Sequence, residues 1–240
     1  MFTDIHCHIL HGTDDGPKQK DEMTKMLHLA YNDGIRRLCA TPHFNYTFYG
    51  DNVSASDNAF IELVQIAKQN YPDMKIYRGN EIFYYNDCIE HLKKGNCKTI
   101  NGTKYSLIDF HSKENKYTIS EAVKHLVSNG YIPIIAHVER YRKFGVLTKD
   151  IEELKDSGSL IQVNAASIIG HNGLRQFILS NSLISKGLCD LVCTDSHNTD
   201  KRTSCMTAAF NYICKRYGKE TAYILTNYNA KRILKNERIS

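Results

Sequence analysis

Thr3-Asp4-Ile5-His6-Cys7-His8-Ile9-Leu10, followed by Gly12 and by Asp14-Asp15-Gly16, is the stretch on which the fold turns. Read as a strand, its side chains alternate between two faces. His6 and His8 then project together with Asp4 beside them, while Ile5, Cys7 and Ile9 point the other way into apolar packing. By the rise of a strand the two imidazoles stand about 7 Å apart, close enough to converge on one metal ion. Two histidines on a strand face also suit a hydrogen-bonded core, so the remaining chain has to decide between a ligand pair and a packed pair.

After this first run, near 3–9, short apolar runs recur near 36–42, 74–82, 104–110, 132–138, 160–166 and 189–195. Helical patterns fall between most of them. Asp21 to Asn32 carries Met23, Met26, Leu27 and Ala30 at helical spacing, and Ala55 to Asn70 carries Phe60, Leu63, Val64 and Ala67. Ile119 to Ser128, Ile151 to Lys155, Leu174 to Ser185 and Arg202 to Arg216 follow the same rule, with Gly34, Gly130, Gly158 and Gly187 as stop signals. Seven strand–helix alternations predict a parallel α/β sheet, either closed into a barrel or open and doubly wound.

Polar strand ends favour the barrel, because a barrel gathers reactive side chains at the C-terminal ends of many strands. His6 and His8 end the first run and His43 ends the second. Glu81 ends the third, Asp109 the fourth and His137 the fifth. Asn164 ends the sixth, and Asp195 and His197 end the seventh. Imidazoles and carboxylates without thiols suit two or three divalent ions of the zinc, manganese or iron kind. Asn164 is expected to be a hydrogen-bonded core residue, and one carboxylate of Asp14-Asp15 is a further candidate ligand.

The bulk composition narrows the function. The chain has 240 residues, 42% of them hydrophobic, and only four prolines, which suits one large domain spanning 1–240. A net charge of +5 with scattered Lys and Arg is no nucleic-acid footprint, though it favours an anionic substrate. Eight cysteines without Cys-x-x-Cys, in a chain with no recognisable signal peptide, read as free thiols in a reducing cytoplasm. No apolar run has the length of a membrane span, so no membrane insertion is expected.

Such a metal cluster can hold a hydroxide at neutral pH and take up charge developing on phosphoryl oxygens. Arg140 lies three residues after His137 and Arg202 five after His197, on the same rim, where a guanidinium can grip a phosphate with two bonds. Metal-dependent phosphoester hydrolysis is the chemistry these parts favour. A thiol phosphatase is excluded, since no cysteine has an arginine six positions later, and strand alternation turns Cys7 away from the histidines. There is no phosphate-binding glycine loop, dinucleotide fingerprint or Gly-x-Ser-x-Gly elbow.

The ordered motifs resemble a known family. His6-Cys7-His8, Thr41-Pro42-His43, Gly79-Asn80-Glu81, Ala136-His137-Val138-Glu139-Arg140-Tyr141 and Asp195-Ser196-His197-Asn198 are similar to those of the polymerase and histidinol phosphatase (PHP) superfamily of trinuclear phosphoesterases. With Asp14-Asp15-Gly16-Pro17-Lys18 and Gln162-Val163-Asn164-Ala165, the set resembles the bacterial capsule and exopolysaccharide tyrosine phosphatases. The resemblance implies a distorted seven-stranded (β/α)7 TIM-like barrel and two or three divalent ions, often manganese, with iron or zinc as options. It implies one ion on His6, His8, Glu81 and Asp195, a second on His43, His137 and the bridging Glu81, and a third on Asp15, His197 and Asp109. Arg140 and Arg202 match the arginines that hold the substrate phosphate.

The substrate so implied is a phosphotyrosine-bearing protein, the C-terminal tail of a bacterial tyrosine kinase controlling capsule or exopolysaccharide synthesis. Two positions depart from the pattern, Asp109 standing for a usual Glu and Val138 for a usual Pro. Tyr46 and Tyr49, in the loop from Phe44 to Asn52 after His43, are placed to stack on an aromatic substrate ring. A phenolic leaving group, with a pKa near about 10, departs with little need for a general acid. The rival readings are a small-molecule phosphatase acting on histidinol phosphate and a regulatory module with a degenerate metal site.

Overall fold

The computed structural model describes residues 1–144 and 148–239. Among them nine strands run in parallel: β1 (Phe2–Cys7), β2 (Ile35–Ala40), β3 (His43–Phe44), β4 (Lys75–Arg78), β5 (Glu81–Phe83), β6 (Tyr105–Asp109), β7 (Ile132–Ile135), β8 (Leu160–Asn164) and β9 (Leu191–Cys193). β1, β2 and β4 form one ladder, and β3, β5, β6, β7, β8 and β9 another. The two ladders are halves of one wall. β2 resumes as β3 after Thr41-Pro42, and β4 resumes as β5 after Gly79-Asn80, with Gly79 and Glu81 still donating to the carbonyls of Ala40 and Pro42.

These breaks have local causes. Pro42 has no N–H to give to a ladder. At Gly79 a Cβ would stand 2.9 Å from the Ile100 Cδ1, so a larger residue would have to push that side chain aside. The Asn80 amide then replaces the missing ladder bonds, donating to the Pro42 carbonyl at 3.0 Å and accepting from the Lys98 N–H at 2.9 Å. Where the sequence predicts one third strand over 74–82, the chain makes two with a kink between them, and the kink aims Glu81 inward.

Counted as staves the wall has seven members, as expected, and it closes into a distorted barrel. The Asp195 N–H donates to the His6 carbonyl and the His8 N–H to the Ser196 carbonyl, both at 2.9 Å, sealing the end of β9 against β1. Leu38, Ile82, Ile108, Ile135, Val163 and Val192 pack outward against helices that include 20–32, 53–70, 116–128 and 174–185. Ile5, Cys39, Tyr105, Leu107, Ile134 and Leu191 pack inward against Ile233 and Leu234.

Ile233 ends, and Leu234 directly follows, a C-terminal helical run, 219–233, that the sequence reading leaves unassigned. It caps the N-terminal mouth of the barrel. Thr3 donates to Asn227, Asn229 to the Asp190 carbonyl, and Tyr105 to the Glu237 carbonyl, all near the starts of strands. The opposite mouth, where the strands end, is left for polar side chains. The helix expected from Arg202 begins instead at Met206, because the Asp33 carboxylate accepts the N–H groups of Met206 and Thr207 and so sets the helix start there.

A candidate metal centre

β1 does not alternate as a regular strand would. Its register against β2 shifts between Asp4 and Cys7, a bulge that inverts the facing of the residues beyond it. Ile5 packs in the inner cluster and Cys7 in the outer one, while His6 and His8 both enter the mouth. Asp4 is left behind the wall, accepting the Thr194 hydroxyl at 2.5 Å and its N–H at 3.1 Å. The expectation that Asp4 accompanies the histidines is corrected by that one extra residue.

The two histidines point their Nε2 atoms at one another across 3.2 Å. His6 Nε2 lies 3.3 Å from Glu81 Oε1 and 3.4 Å from Asp195 Oδ1, and His8 Nε2 lies 3.0 Å from Glu81 Oε2. His43 Nδ1 is 2.9 Å from Glu81 Oε2, and His137 Nε2 is 2.8 Å from Glu81 Oε1. His197 Nε2 lies 3.2 Å and His43 Nε2 3.6 Å from Asp15 Oδ1. Asp109 Oδ1 is 3.8 Å from His137 Nε2. All nine candidate ligands therefore meet in one cluster.

Within that cluster the side chains form overlapping groups. Asp15 and His197 gather with His8 and His43, whereas Asp109 gathers with Glu81 and His43. Asp109 ends β6, across the barrel from the β1–β9 seam that carries Asp15 and His197, so it does not complete their group.

Backbone and neighbours hold these side chains. A Cβ at Gly16 would strike the His8 carbonyl, so the Asp14-Asp15-Gly16 turn folds tightly over the end of β1. Asp14 faces the back of the cluster: its Oδ2 is 2.7 Å from His8 Nδ1 and accepts the His43 N–H at 2.8 Å. That leaves His8 Nε2 for the centre, and leaves half-exposed Asp15 as the carboxylate that enters it. Gln162 does the same for His6, its Oε1 lying 3.1 Å from Nδ1 while also accepting the His137 N–H at 2.8 Å. His137 (φ 32°) and Asp195 (φ 51°) both sit in the left-handed region, where non-glycine residues need such outside bonds to stay.

Two of these supports, Gln162 and Glu139, were not assigned by the sequence. Gln162 and Asn164 form a chain, Gln162 Nε2 donating to Asn164 Oδ1 and Asn164 Nδ2 to Asp195 Oδ2 at 2.7 Å. Asn164 is thus buried and hydrogen-bonded as expected, with a bond into the site. Glu139 is fully buried and accepts from the Asn164 N–H and the Ser167 hydroxyl, so it braces the wall behind the cluster. The period-two pattern of β8, which turns Gln162 and Asn164 to the same face as the other strand ends, was the available signal.

The electrostatics of the cluster suit a cation. Burial works to protonate Glu81, yet the surrounding imidazoles, His6 foremost, hold its carboxyl well below the ordinary range, and Asp195 is held low in the same way. Burial and neighbouring His43 oppose a charge on His8, but Asp14 and Glu81 prevail and lift it to about 9. His197, stacked on His8 with centroids 3.8 Å apart, is pushed down to about 4 by burial and by that neighbour. Glu81 Oε2, Asp195 Oδ1 and His197 Nε2 are buried yet make no hydrogen bond among the described residues, their close contacts being wrongly angled for one. Buried lone pairs on imidazole and carboxylate that converge without partners fit divalent metal ions.

At the rim, Arg140 Nη1 and Arg202 Nη2 both reach Asp195 Oδ2, at 3.2 and 3.0 Å. Tyr49 lies parallel to the His43 ring at 5.6 Å between centroids. Tyr46 does not join it; its ring pairs with His91 at 6.0 Å on the side of helix 88–94. Cys7 is buried, with burial raising its thiol pKa well above the ordinary value, and its sulfur contacts Ser196 Oγ at 3.1 Å. It is no nucleophile.

Residues 2–235 match the family described as "Capsular polysaccharide synthesis, CpsB/CapC". Tyrosine-protein phosphatase CpsB of Streptococcus pneumoniae is 30% identical over 241 residues, covering 98% of this chain and 99% of that protein. Tyrosine-protein phosphatase YwqE of Bacillus subtilis (strain 168) is 32% identical over 237 residues, covering 98% and 92%. A crystal structure from a study of YwqE and CpsB as unique metal-dependent tyrosine phosphatases shares the fold with a TM-score of 0.89 at 30% identity, covering 99% of this chain and 96% of that one. This chain belongs to the CpsB/CapC family of capsular polysaccharide synthesis.

Proposed function

We propose that this protein is a metal-dependent phosphatase that removes phosphate from tyrosine. The observation that carries the proposal is the convergence of nine imidazole and carboxylate ligands from the strand ends, beneath two arginines, with buried acceptor atoms lacking partners. Kinship with named tyrosine-protein phosphatases supports it.

The ring order of the ligands supports three sets. His6, His8, Glu81 and Asp195 would hold one ion; Glu81, Asp109 and His137 a second; and Asp15, His43 and His197 a third, manganese being the metal the resemblance favours. When bound, divalent ions supply Lewis acidity and a nucleophile at neutral pH. Arg140 and Arg202, already steered by Asp195, orient the phosphoryl group from the open side. Tyr49 offers the leaving phenol a ring to lie against, and no side chain need donate a proton to so weak a base.

The substrate we favour is the phosphotyrosine tail of a bacterial tyrosine kinase, met in the cytoplasm. All eight cysteines are free, which suits a reducing compartment, and no helix among the described residues is long and apolar enough to cross a membrane. The test compares a phosphotyrosine peptide with histidinol phosphate, using protein stripped by chelator and reloaded with manganese. Turnover of the peptide only after reloading is expected. A preference for histidinol phosphate by more than about tenfold, or about 1.4 kcal/mol in transition-state stabilisation, would overturn the choice of substrate. Undiminished activity after stripping would overturn the metal.

A further inference from the structure

A cavity of about 420 Å³ opens beside the metal centre, sharing with it Asp195, its partner Asn164 and the two arginines. That volume lies within the range of pockets that hold whole ligands, and a phosphoryl group gripped by Arg140 and Arg202 fills only its inner end. The outer walls are polar. Lys201 stands on one side, and His171, Asn172 and Gln176 on the other.

Both walls are braced. The loop carrying Lys201 is pinned at one end by Asn198, whose Oδ1 accepts the N–H groups of Asp200 and Arg202. At the other end Asp33 accepts the Ser204 hydroxyl and the Met206 and Thr207 N–H groups. Opposite, His171 donates its N–H to the Ala166 carbonyl and Asn172 its amide to the Ser167 hydroxyl. Among the described residues, neither the Lys201 ammonium nor the Gln176 amide makes a hydrogen bond or ion pair.

The charge count has a sign. Asp195 is already committed to Asn164, Arg140 and Arg202, so it contributes little free negative charge to the cavity. In formal charge, Lys201, Arg140 and Arg202 stand against Asp195 and Asp200, an excess of one positive charge among the lining residues. Such a pocket attracts an anion.

Building on the phosphatase reading above, we propose that this cavity is a second anion subsite, taking a negatively charged side chain that flanks the phosphotyrosine in the substrate. Lys201 and Gln176 set that preference. The chemistry admits two sources, a carboxylate or a second phosphotyrosine.

The test uses three peptides of one length, in which phosphotyrosine is flanked by Ala, by Glu or by another phosphotyrosine, and compares kcat/KM within each protein at low salt. The full-length protein reloaded with manganese should prefer a charged flank over Ala by about tenfold, the order of one charge-assisted hydrogen bond, with the gain in KM. Lys201→Glu should reverse the preference and Gln176→Ala should weaken it, each read as a ratio so that folding yield cancels. A gain with both charged flanks supports a general anion subsite, and a gain with one alone supports the subsite and names its source. Equal kcat/KM on all three peptides, or a preference untouched by Lys201→Glu, overturns the subsite while leaving the phosphatase standing. Turnover of a small aryl phosphate with none of any peptide overturns the phosphotyrosine reading, and the subsite with it.

Discussion

Replacing Gln162 by Met tests whether the metal centre is set by residues that never enter it. The two side chains have similar length, but Met offers no comparable acceptor to the His6 ring nitrogen at 3.1 Å or to the His137 N–H at 2.8 Å. Gln162 is fully buried, so no water stands ready to substitute. Each donor left unsatisfied costs about 1–3 kcal/mol, so the pair costs at least about 2 kcal/mol. In a chain of this size that lowers the melting temperature by about 4–8 °C. The same loss frees the His6 ring to turn, and removing such an orienting partner weakens metal binding by about 10–100-fold. Calorimetric titration of manganese into chelator-stripped protein reads the second effect separately from the first. Gln162→Glu keeps the acceptor for His6 but loses the donor to Asn164 Oδ1, so it should recover part of the affinity. If Gln162→Met melts early yet binds manganese as tightly as the parent, His6 is not oriented by Gln162 and the reasoning fails.

Three further outcomes are expected from the same geometry. His8 and His43 stand at about 9 in the metal-free protein, above their ordinary 6.5, so their contribution to stability is complete below about pH 6.5 and disappears as pH rises through about 9. Metal-free protein should therefore lose stability across that window, and loading at pH 7 should release protons, read from the buffer dependence of the binding heat; no release would contradict it. Asp33→Ala, which unpins the Arg202 loop and removes a helix cap, should cost about 1 kcal/mol in melting and lower kcat/KM on phosphopeptide while manganese affinity holds; equal loss of manganese affinity would place its effect elsewhere. Tyr49→Ala should raise KM for the phosphopeptide about fivefold, the order of one lost ring contact, and Tyr46→Ala should change it less; equal effects would put both rings at the substrate.

Much of this site could be read from the sequence because a parallel barrel obeys a simple rule. Every strand delivers its last residues to one mouth, so His43, Glu81, Asp109, His137 and Asp195 could be grouped without knowing how the chain curves. What could not be read depends on contacts between distant segments. The β1 bulge that drops Asp4 behind the wall is set by how β1 meets β2 and β9, and a periodicity of two carries no trace of it. The helical run at 219–233 did leave a signal, with Ala222, Leu225, Thr226, Asn229, Ala230 and Ile233 buried at helical spacing. Polar Thr226 and Asn229 on that stripe masked it, since their value lies in bonds to the Ala222 and Asp190 carbonyls. Tyr46 and Tyr49 differ by three positions in one short segment, and only the fold shows which ring meets His43 and which meets His91.

The neighbours that His43 and Asp109 meet in the cluster result from closing the ring. Taken around the mouth, the staves carry His6 and His8, then His43, Glu81, Asp109, His137, the Gln162–Asn164 pair, and last Asp195 with His197. Closure makes the last stave a neighbour of the first, so Asp15, which comes after β1, lies with His197 and with His43 of the adjoining stave. Asp109 stands between Glu81 and His137 on the far side. Glu81 reaches His6, His8, His43 and His137 because its stave lies between the two sides and the Gly79-Asn80 kink aims it inward. A bridging carboxylate is then a consequence of position. Asp109 is held back by the Tyr141 hydroxyl at 3.1 Å and the Phe110 N–H at 2.7 Å, and its Oδ1 comes no nearer to His137 Nε2 than 3.8 Å. The ion beside it should be the first to leave under chelation, and Asp109→Glu should retain it longer. If metal-release kinetics are unchanged by that substitution, reach is not what limits the second ion.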